Sequence, residues 1–371
     1  MNSKERINAI FNNEPTDRVG FWIGHPADDT KLIYARELGI DIGDYKIPDK
    51  SESHGLLATN IDILDVKLAA ALESDLFWLS PEIMTGTWKH PEGKPMFDVT
   101  GGKDYNSLSQ PGIFANTDSV SEIEDFEWPD PQYLDFTNAV ALLDEVKKES
   151  LAVAGGMWMS FFHVLCDFFG MENYFMKMYT HPEVVEAATE KIISFYLEAN
   201  RRCLDLMADD IDVLFFGNDL GSQLDLLISP DACSRFIIPG YKRIVAQAKE
   251  FNLRVMLHSC GSIGRIIPDL IDIGIDALHP LQAKAACMDA VTLKEQFDES
   301  IVFVGGVDTQ ELLPFGTAEQ VYEEVCRLKE VFGPRYIVSP SHEALLSNVS
   351  LKNVLAMRDA VFANENCTVS V

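Results

Sequence analysis

The chain has 371 residues, of which 47% are apolar and 24% charged, enough for a large core in one closed α/β unit. Its 58 acidic against 30 basic side chains give a formal charge of -28, which repels phosphate backbones and anionic lipid and so argues against nucleic acid or a membrane surface as partner. No apolar run approaches the roughly 18–20 residues that cross a bilayer, and seven cysteines without a CxxC pair suit a reduced compartment, so a cytoplasmic protein is expected.

The first six residues lead into a polar amphipathic helix, and a β-rich run at 19–23 then ends in Gly24-His25-Pro26. A second run at 75–79 is followed by a stretch, about 80–150, in which Gly, Pro and acidic residues break the rhythm. Within it, 88–95 reads as a hairpin turn between two short strands and 118–131 as an acidic connector. Such a stretch has too few periodic apolar positions to fold alone, so it is expected as an insertion on one face of a single domain spanning 1–371. Beyond it, β-rich runs at 151–154, 211–216, 254–258, 277–279, 301–304 and 336–339 alternate with helical patterns at 182–206, 230–251, 263–273, 293–297, 318–332 and 350–363. Near-continuous apolar strands separated by amphipathic helices imply a parallel sheet covered by helices, and eight of them predict closure into a (β/α)8 TIM barrel. An open doubly wound sheet is the alternative, but no GxGxxG follows any strand.

Barrel sites are assembled where strands end, so the residues at each carboxyl tip carry the functional signal. After the fifth run comes His258-Ser259-Cys260-Gly261, an imidazole and a thiol two residues apart with a glycine to let the backbone turn. By itself this pair is explained as simply by a strand-end His and a buried Cys. Other tips add His25, Trp158, Asp219 and Gln223, then His279 and Gln282, then Asp308, and last Ser341-His342-Glu343. His25 reads equally as a pocket or a turn residue, and His279 as the end of its strand, with Gln282 the better pocket candidate. The histidines at 54, 90, 163 and 181 fit loops or helix starts without ligand spacing.

Several motifs in one order resemble the uroporphyrinogen decarboxylase superfamily, which includes zinc-dependent cobalamin or corrinoid methyltransferases. They are Ser3-Lys4-Glu5-Arg6, Asn13-Glu14-Pro15-Thr16-Asp17-Arg18, Asn218-Asp219-Leu220-Gly221-Ser222-Gln223, His258-Ser259-Cys260-Gly261, Gly305-Gly306-Val307-Asp308-Thr309 and Ser339-Pro340-Ser341-His342. The resemblance implies the same barrel. Its decarboxylase branch holds substrate carboxylates with an Arg-rich loop after the first strand, yet no Arg stands between Arg18 and Arg36 here, so an octa-anionic substrate would lack its charge-assisted partners.

The methyltransferase branch resembles this chain more closely, and implies zinc held by His258, Cys260 and a third ligand after the eighth strand. His342 stands where the family usually has Cys. One thiolate and two imidazoles leave a formal charge of about +1, a stronger Lewis acid suited to a methyl ether more than to a thiol. The implied reaction moves a methyl group between a small methylated substrate or thiol and a corrinoid carried by a partner protein. In that reading Asp219 and Asp308 orient substrate or accept a proton, His25, Gln223 and Gln282 bind substrate, and Trp158 forms an apolar wall with Phe161 and Phe162. Glu343 is a fourth ligand, a general base or an outward rim carboxylate. A uroporphyrinogen decarboxylase and a non-catalytic small-molecule-binding barrel are the alternatives, and a homodimer is left open.

Overall fold

The computed structural model describes residues 1–43, 45, 60–99, 110–297 and 300–363, so His54 lies outside the described residues. The eight apolar runs form one parallel sheet: β1 (Gly20–Phe21), β2 (Leu76–Leu79), β3 (Ala152–Gly155), β4 (Val213–Gly217), β5 (Arg254–His258), β6 (Ala277–Leu281), β7 (Val302–Val307) and β8 (Tyr336–Pro340). Every residue of these strands is buried except Arg254, as expected of a sheet covered on one face by helices and filled on the other by its own side chains. Neighbours from β2 to β8 follow in sequence, and β8 pairs with β1. Asp75 closes the ring: its N–H donates to the Phe21 carbonyl at 2.7 Å, and its carboxylate accepts from the Phe21 N–H at 2.9 Å. The fold is a (β/α)8 barrel.

At the amino ends of the strands Asp75 also binds two guanidinium groups, Arg6 from the helix Ser3–Asn12 at 2.7 Å and Arg18 at 2.6 Å. Above this floor the interior is aromatic. The Trp22 ring lies 5.8 Å from Phe215, which lies 5.7 Å from Trp78. At the mouth, a two-residue strand His25–Pro26 pairs in parallel with Ala344–Leu345, drawing the loop after β8 over the tip of β1.

The stretch 80–150 differs from its expected form. Trp88 bridges Leu134 across the chain rather than a strand beginning near Pro95, and its indole N–H donates to the Lys94 carbonyl at 2.8 Å, so 88–95 is a turn without hairpin strands. Phe114 and Trp128 pack on Phe168 at 5.0 and 5.3 Å, borrowing a barrel helix for the apolar support this stretch lacks. Its last part, Thr137–Lys148, is an ordinary amphipathic helix that packs against β2.

The helix expected at 230–251 is present but carries a wide turn at Cys233–Ile237, just before Pro239. Proline lacks the N–H and crowds the carbonyl one turn back, and a π-type turn accommodates both. Cys326 is disulfide-bonded, against the expectation of unpaired cysteines, while Cys166, Cys203, Cys233, Cys260 and Cys287 are free thiols. No described helix is long and apolar enough to cross a membrane.

Candidate metal centre

The register of three adjacent strands sets the centre of the mouth. Gly217 on β4, His258 on β5 and His279 on β6 lie level with one another. A side chain at Gly217 would put its Cβ 2.6 Å from the Trp158 ring and 2.7 Å from the His258 Cβ, so only glycine leaves room for those two rings to meet. They do so at 5.3 Å, with Trp158 also against Phe215 at 5.3 Å, so the aromatic neighbour of Trp158 here is Phe215 and not the Phe161 and Phe162 expected beside it. Level residues on neighbouring parallel strands face the same way, and the two imidazoles accordingly touch, Nδ1 to Nδ1, at 3.0 Å.

Beyond His258 the chain turns at Gly261, whose φ is +86° and whose Cβ, if present, would sit 2.3 Å from the Gly221 backbone. That turn brings Cys260 back over its own strand. Its Sγ lies 3.4 Å from His258 Nε2, and its N–H donates to Asp219 Oδ1 at 2.9 Å. The same Oδ1 is 3.1 Å from His258 Nε2. Asp219 is held in turn by hydrogen bonds between the β4 and β5 loops, Asn218 N–H to the His258 carbonyl and Gly221 N–H to the Cys260 carbonyl.

His258 therefore presents its two nitrogens to two groups. Nε2 faces Cys260 and Asp219; Nδ1 faces His279 and, at 3.4 Å, Glu343 Oε2. In each trio the candidate ligand atoms lie within 4.8 Å of one another. Donors at about 2.0–2.3 Å from a tetrahedral zinc are roughly 3.3–3.7 Å apart. The separations from Nε2, 3.4 Å to sulfur and 3.1 Å to oxygen, fit a zinc-sized ion with little adjustment.

The electrostatics follow from crowding acids around a buried base. Burial alone would lower the His258 pKa, but the fields of Glu343 and Cys260 and the hydrogen bond to Asp219 outweigh it and hold the imidazole well above its ordinary value. Asp219 is the converse: burial disfavours its charge, yet His258 keeps it far below the usual carboxylate range. Burial pushes the Cys260 thiol up to about 11, against the pull of His258. His279, buried beside His258, is held well below the usual imidazole value.

His342 takes a different place from the one the sequence suggests. The chain bends at 341–343, and it is Glu343 that turns inward, 2% exposed, while the His342 side chain remains a third exposed. The His342 ring centre is 6.0 Å from that of His258, and its Nδ1 accepts from the Ala344 N–H at 3.0 Å. Among the described residues the donor that lies within 4.8 Å of both the His258 and the Cys260 ligand atoms is Asp219.

His342 instead borders a cavity of about 340 Å³ beside the centre, which Gln223, Gln282 and Asp308 also line. Gln282 Oε1 accepts from Gly261 N–H at 2.8 Å, tying that cavity to the Cys260 turn. Asp308 is less available as a base than its motif suggests. Its carboxylate accepts from the backbone N–H groups of Gln310, Glu311 and Leu312 and pairs with Lys284 at 3.0 Å, the work of a turn cap. His25 lies outside this cavity, 4% exposed, with its ring 5.5 Å from Trp78 and Nδ1 3.3 Å from Asp65. Phe161 and Phe162 are fully buried, and Phe162 N–H donates to Asn218 Oδ1 at 2.8 Å.

Two participants escape a reading of motifs, whereas Glu343 is among the ligand and base candidates that the sequence offers. His279 is visible only as a strand end. His163, on the helix Phe161–Phe169, accepts from Asp219 N–H at 3.3 Å through Nε2, a contact between two loops that no spacing announces.

Comparison with known proteins bears on the family and the fold. Residues 103–363 match the uroporphyrinogen decarboxylase (URO-D) family. Among curated proteins, a methylated-thiol:coenzyme M methyltransferase of Methanosarcina mazei is 25% identical over 250 residues, 62% of this chain and 61% of that protein. A methylcobamide:CoM methyltransferase of the same organism is 24% identical over 239 residues, 61% of this chain and 66% of that protein. The chain thus spans about three fifths of the length of the curated relatives it matches. In fold it is similar to a solved methyltransferase from Methanosarcina mazei, with a TM-score of 0.66 over 98% of this chain and all of the other, at 18% identity.

Proposed function

The chain belongs to the uroporphyrinogen decarboxylase family, and from that premise we propose that it is a zinc-dependent methyltransferase, moving a methyl group between a small methylated substrate or thiol and a corrinoid on a partner protein. The observation that carries the proposal is the convergence of His258 Nε2, Cys260 Sγ and Asp219 Oδ1 at the barrel mouth. Those three residues would hold the zinc, which when bound supplies Lewis acidity: it lowers the pKa of a thiol or makes a methylated heteroatom a better leaving group.

The protein's own groups prepare the rest. Trp158 covers one side of His258, and the cavity under Gln223, Gln282 and His342 gives a small substrate access from the other. Glu343, buried with its Oε2 3.4 Å from His258 Nδ1 and 3.5 Å from His342 Nδ1, adds a negative charge beside both imidazoles. With Asp219 as third ligand in place of His342, one thiolate and one carboxylate balance the ion, and the formal charge is 0 rather than +1. That is the value of a two-thiolate set, and it removes the reason to prefer an ether to a thiol. That one relative is a methylated-thiol:coenzyme M methyltransferase supports the same choice.

A decarboxylase of poly-carboxylate tetrapyrroles fits poorly. Arg18 is committed to Asp75 at the floor, and the one cation lining the cavity among the described residues, Lys284, is paired with Asp308 and Glu311. The decisive experiment measures zinc per protein and corrinoid absorbance during methyl transfer. Stoichiometric zinc, lost in His258→Ala and Cys260→Ala together with transfer to or from a thiol, is the expected result. Metal-free wild-type protein, or formation of coproporphyrinogen from uroporphyrinogen, would overturn the proposal. Asp219→Asn and His342→Ala then separate the two candidate third ligands.

A further inference from the structure

His279 is the most deeply enclosed titratable group at the mouth and has no role in the scheme above. It is 1% exposed, packed 4.8 Å from the Trp22 ring and 5.5 Å from Phe215, and its Nε2 has no hydrogen-bond partner among the described residues. The ring's one hydrogen-bonding contact among the described residues is Nδ1 to Nδ1 with His258, at 3.0 Å.

Two imidazole nitrogens at that separation can share a single hydrogen. Two N–H groups would collide, and two bare lone pairs would repel. If His258 binds an ion through Nε2, the nitrogen that faces Cys260 and Asp219, its remaining hydrogen must be on Nδ1. That Nδ1–H needs an acceptor, because a buried donor left without one costs about 1–3 kcal/mol. Glu343 Oε2 is 3.4 Å away and makes no hydrogen bond among the described residues, whereas His279 Nδ1 is closer and within bonding geometry. His279 must then keep Nδ1 bare and carry its own hydrogen on Nε2, against the aromatic wall.

We propose that His279 is a positioning residue: by accepting the hydrogen of His258 Nδ1 it fixes the tautomer and ring plane that present His258 Nε2 to the metal. This rests on the reading of His258 as a ligand through Nε2. It also gives a purpose to the β5 and β6 register, which holds the acceptor on the rigid barrel wall rather than on a loop.

The test compares wild type, His279→Phe and His279→Gln by zinc affinity, measured in competition with a chromophoric chelator, and by the visible spectrum of the Co2+-substituted proteins. Phenylalanine keeps a ring between Trp22 and Phe215 but has no acceptor; glutamine restores an acceptor oxygen. Phenylalanine is expected to weaken zinc binding about 10–100-fold and to alter the Co2+ spectrum, with glutamine recovering most of both. If wild type binds no zinc, the metal reading itself falls and this role falls with it. If wild type binds zinc and His279→Phe binds it equally, with an unchanged Co2+ spectrum, the positioning role alone is wrong. Equal loss in the phenylalanine and glutamine proteins also overturns it, since the acceptor would then not be what matters.

Discussion

Two clusters of buried charge sit at opposite ends of one barrel, and they are built on different terms. At the floor, Asp75 is fully enclosed, and both its oxygens are occupied by Arg6, Arg18 and the Phe21 N–H. At the mouth, Glu343 is almost as enclosed, yet its Oε2 has no hydrogen bond among the described residues, and His279 Nε2 has none either. The floor is complete without anything added. The mouth holds Asp219, Cys260, Glu343 and two imidazoles in a space where their charges do not settle one another. A buried polar group without a partner is costly, and such groups collect where a ligand or a reaction supplies what is missing. The difference separates a structural ion cluster from a candidate active site on physical grounds alone.

The comparison breaks most visibly through Asp75. Replacing Asp75 with Ala leaves Arg18 without its carboxylate and Arg6 with Asp17 alone, and removes one of the two bonds that close β1 on β2, so unfolding by urea should show a loss of about 3–5 kcal/mol, while zinc per folded molecule stays at the wild-type value. A floor substitution that emptied the metal centre would show that the two ends are not independent.

The mouth should instead respond to pH and metal. In the metal-free protein the His258 imidazole is held above its ordinary pKa and the Cys260 thiol up to about 11, so both carry protons near neutrality, whereas Asp219 is already ionised. Zinc must displace both protons. Its affinity should rise with pH by up to about a hundredfold per unit, ~2.7 kcal/mol, until the pH passes the His258 pKa and the slope falls to one proton. Competition titrations at several pH values measure that slope, and a pH-independent affinity would mean that the two residues do not bind the ion together. Without metal the sign reverses: the stability His258 gains from its acidic neighbours is complete below its unfolded pKa and lost as pH rises through the folded one.

Much of this was open to inspection in the sequence, and the reasons for the rest are geometric. Eight strands were legible because strands buried on both faces are unbroken apolar runs, and His258 with Cys260 because two ligands two residues apart need no tertiary knowledge. The contact of His279 with His258 depends on how β5 and β6 are aligned, which no residue in either strand records. At His342-Glu343 the sequence shows two donors, but only the local direction of the chain decides that the carboxylate turns in and the imidazole stays at the rim. Asp308 stands at a strand tip, where the family resemblance implies a substrate-orienting or proton-accepting role; the backbone N–H groups that occupy it belong to the turn that follows.

Glu82 tests whether an intermediate case behaves as one. It follows β2 at the mouth and accepts from Tyr196 O–H at 2.8 Å and Met159 N–H at 3.3 Å, bracing the loop that carries Trp158. Burial nevertheless raises its carboxyl to about 7 despite those bonds. The folded protein then binds this proton more tightly than the unfolded chain, so stability should fall as pH rises from about 4.5 to 7 and level off above. Glu82→Gln should gain about 1–2 kcal/mol at alkaline pH and nothing near pH 4.5. Urea unfolding of both proteins at the two pH values reads the difference directly, and an equal shift at both would assign it to packing rather than charge.

The smallest expected effect is the most discriminating. Glu343→Gln replaces a carboxylate almost as buried as Asp75, but one whose Oε2 has no hydrogen bond to lose among the described residues, and His258 keeps Asp219 and Cys260 as partners. Metal-free stability should change by less than about 1 kcal/mol, against the several lost at Asp75. What should move is His258, since Glu343 is the largest of the fields that raise its pKa. Its titration, followed by the imidazole NMR signals of the metal-free protein, should shift to lower pH. If Glu343→Gln were as destabilising as Asp75→Ala, Glu343 would be a second structural anchor, and the contrast between a completed floor and an unfinished mouth would not hold.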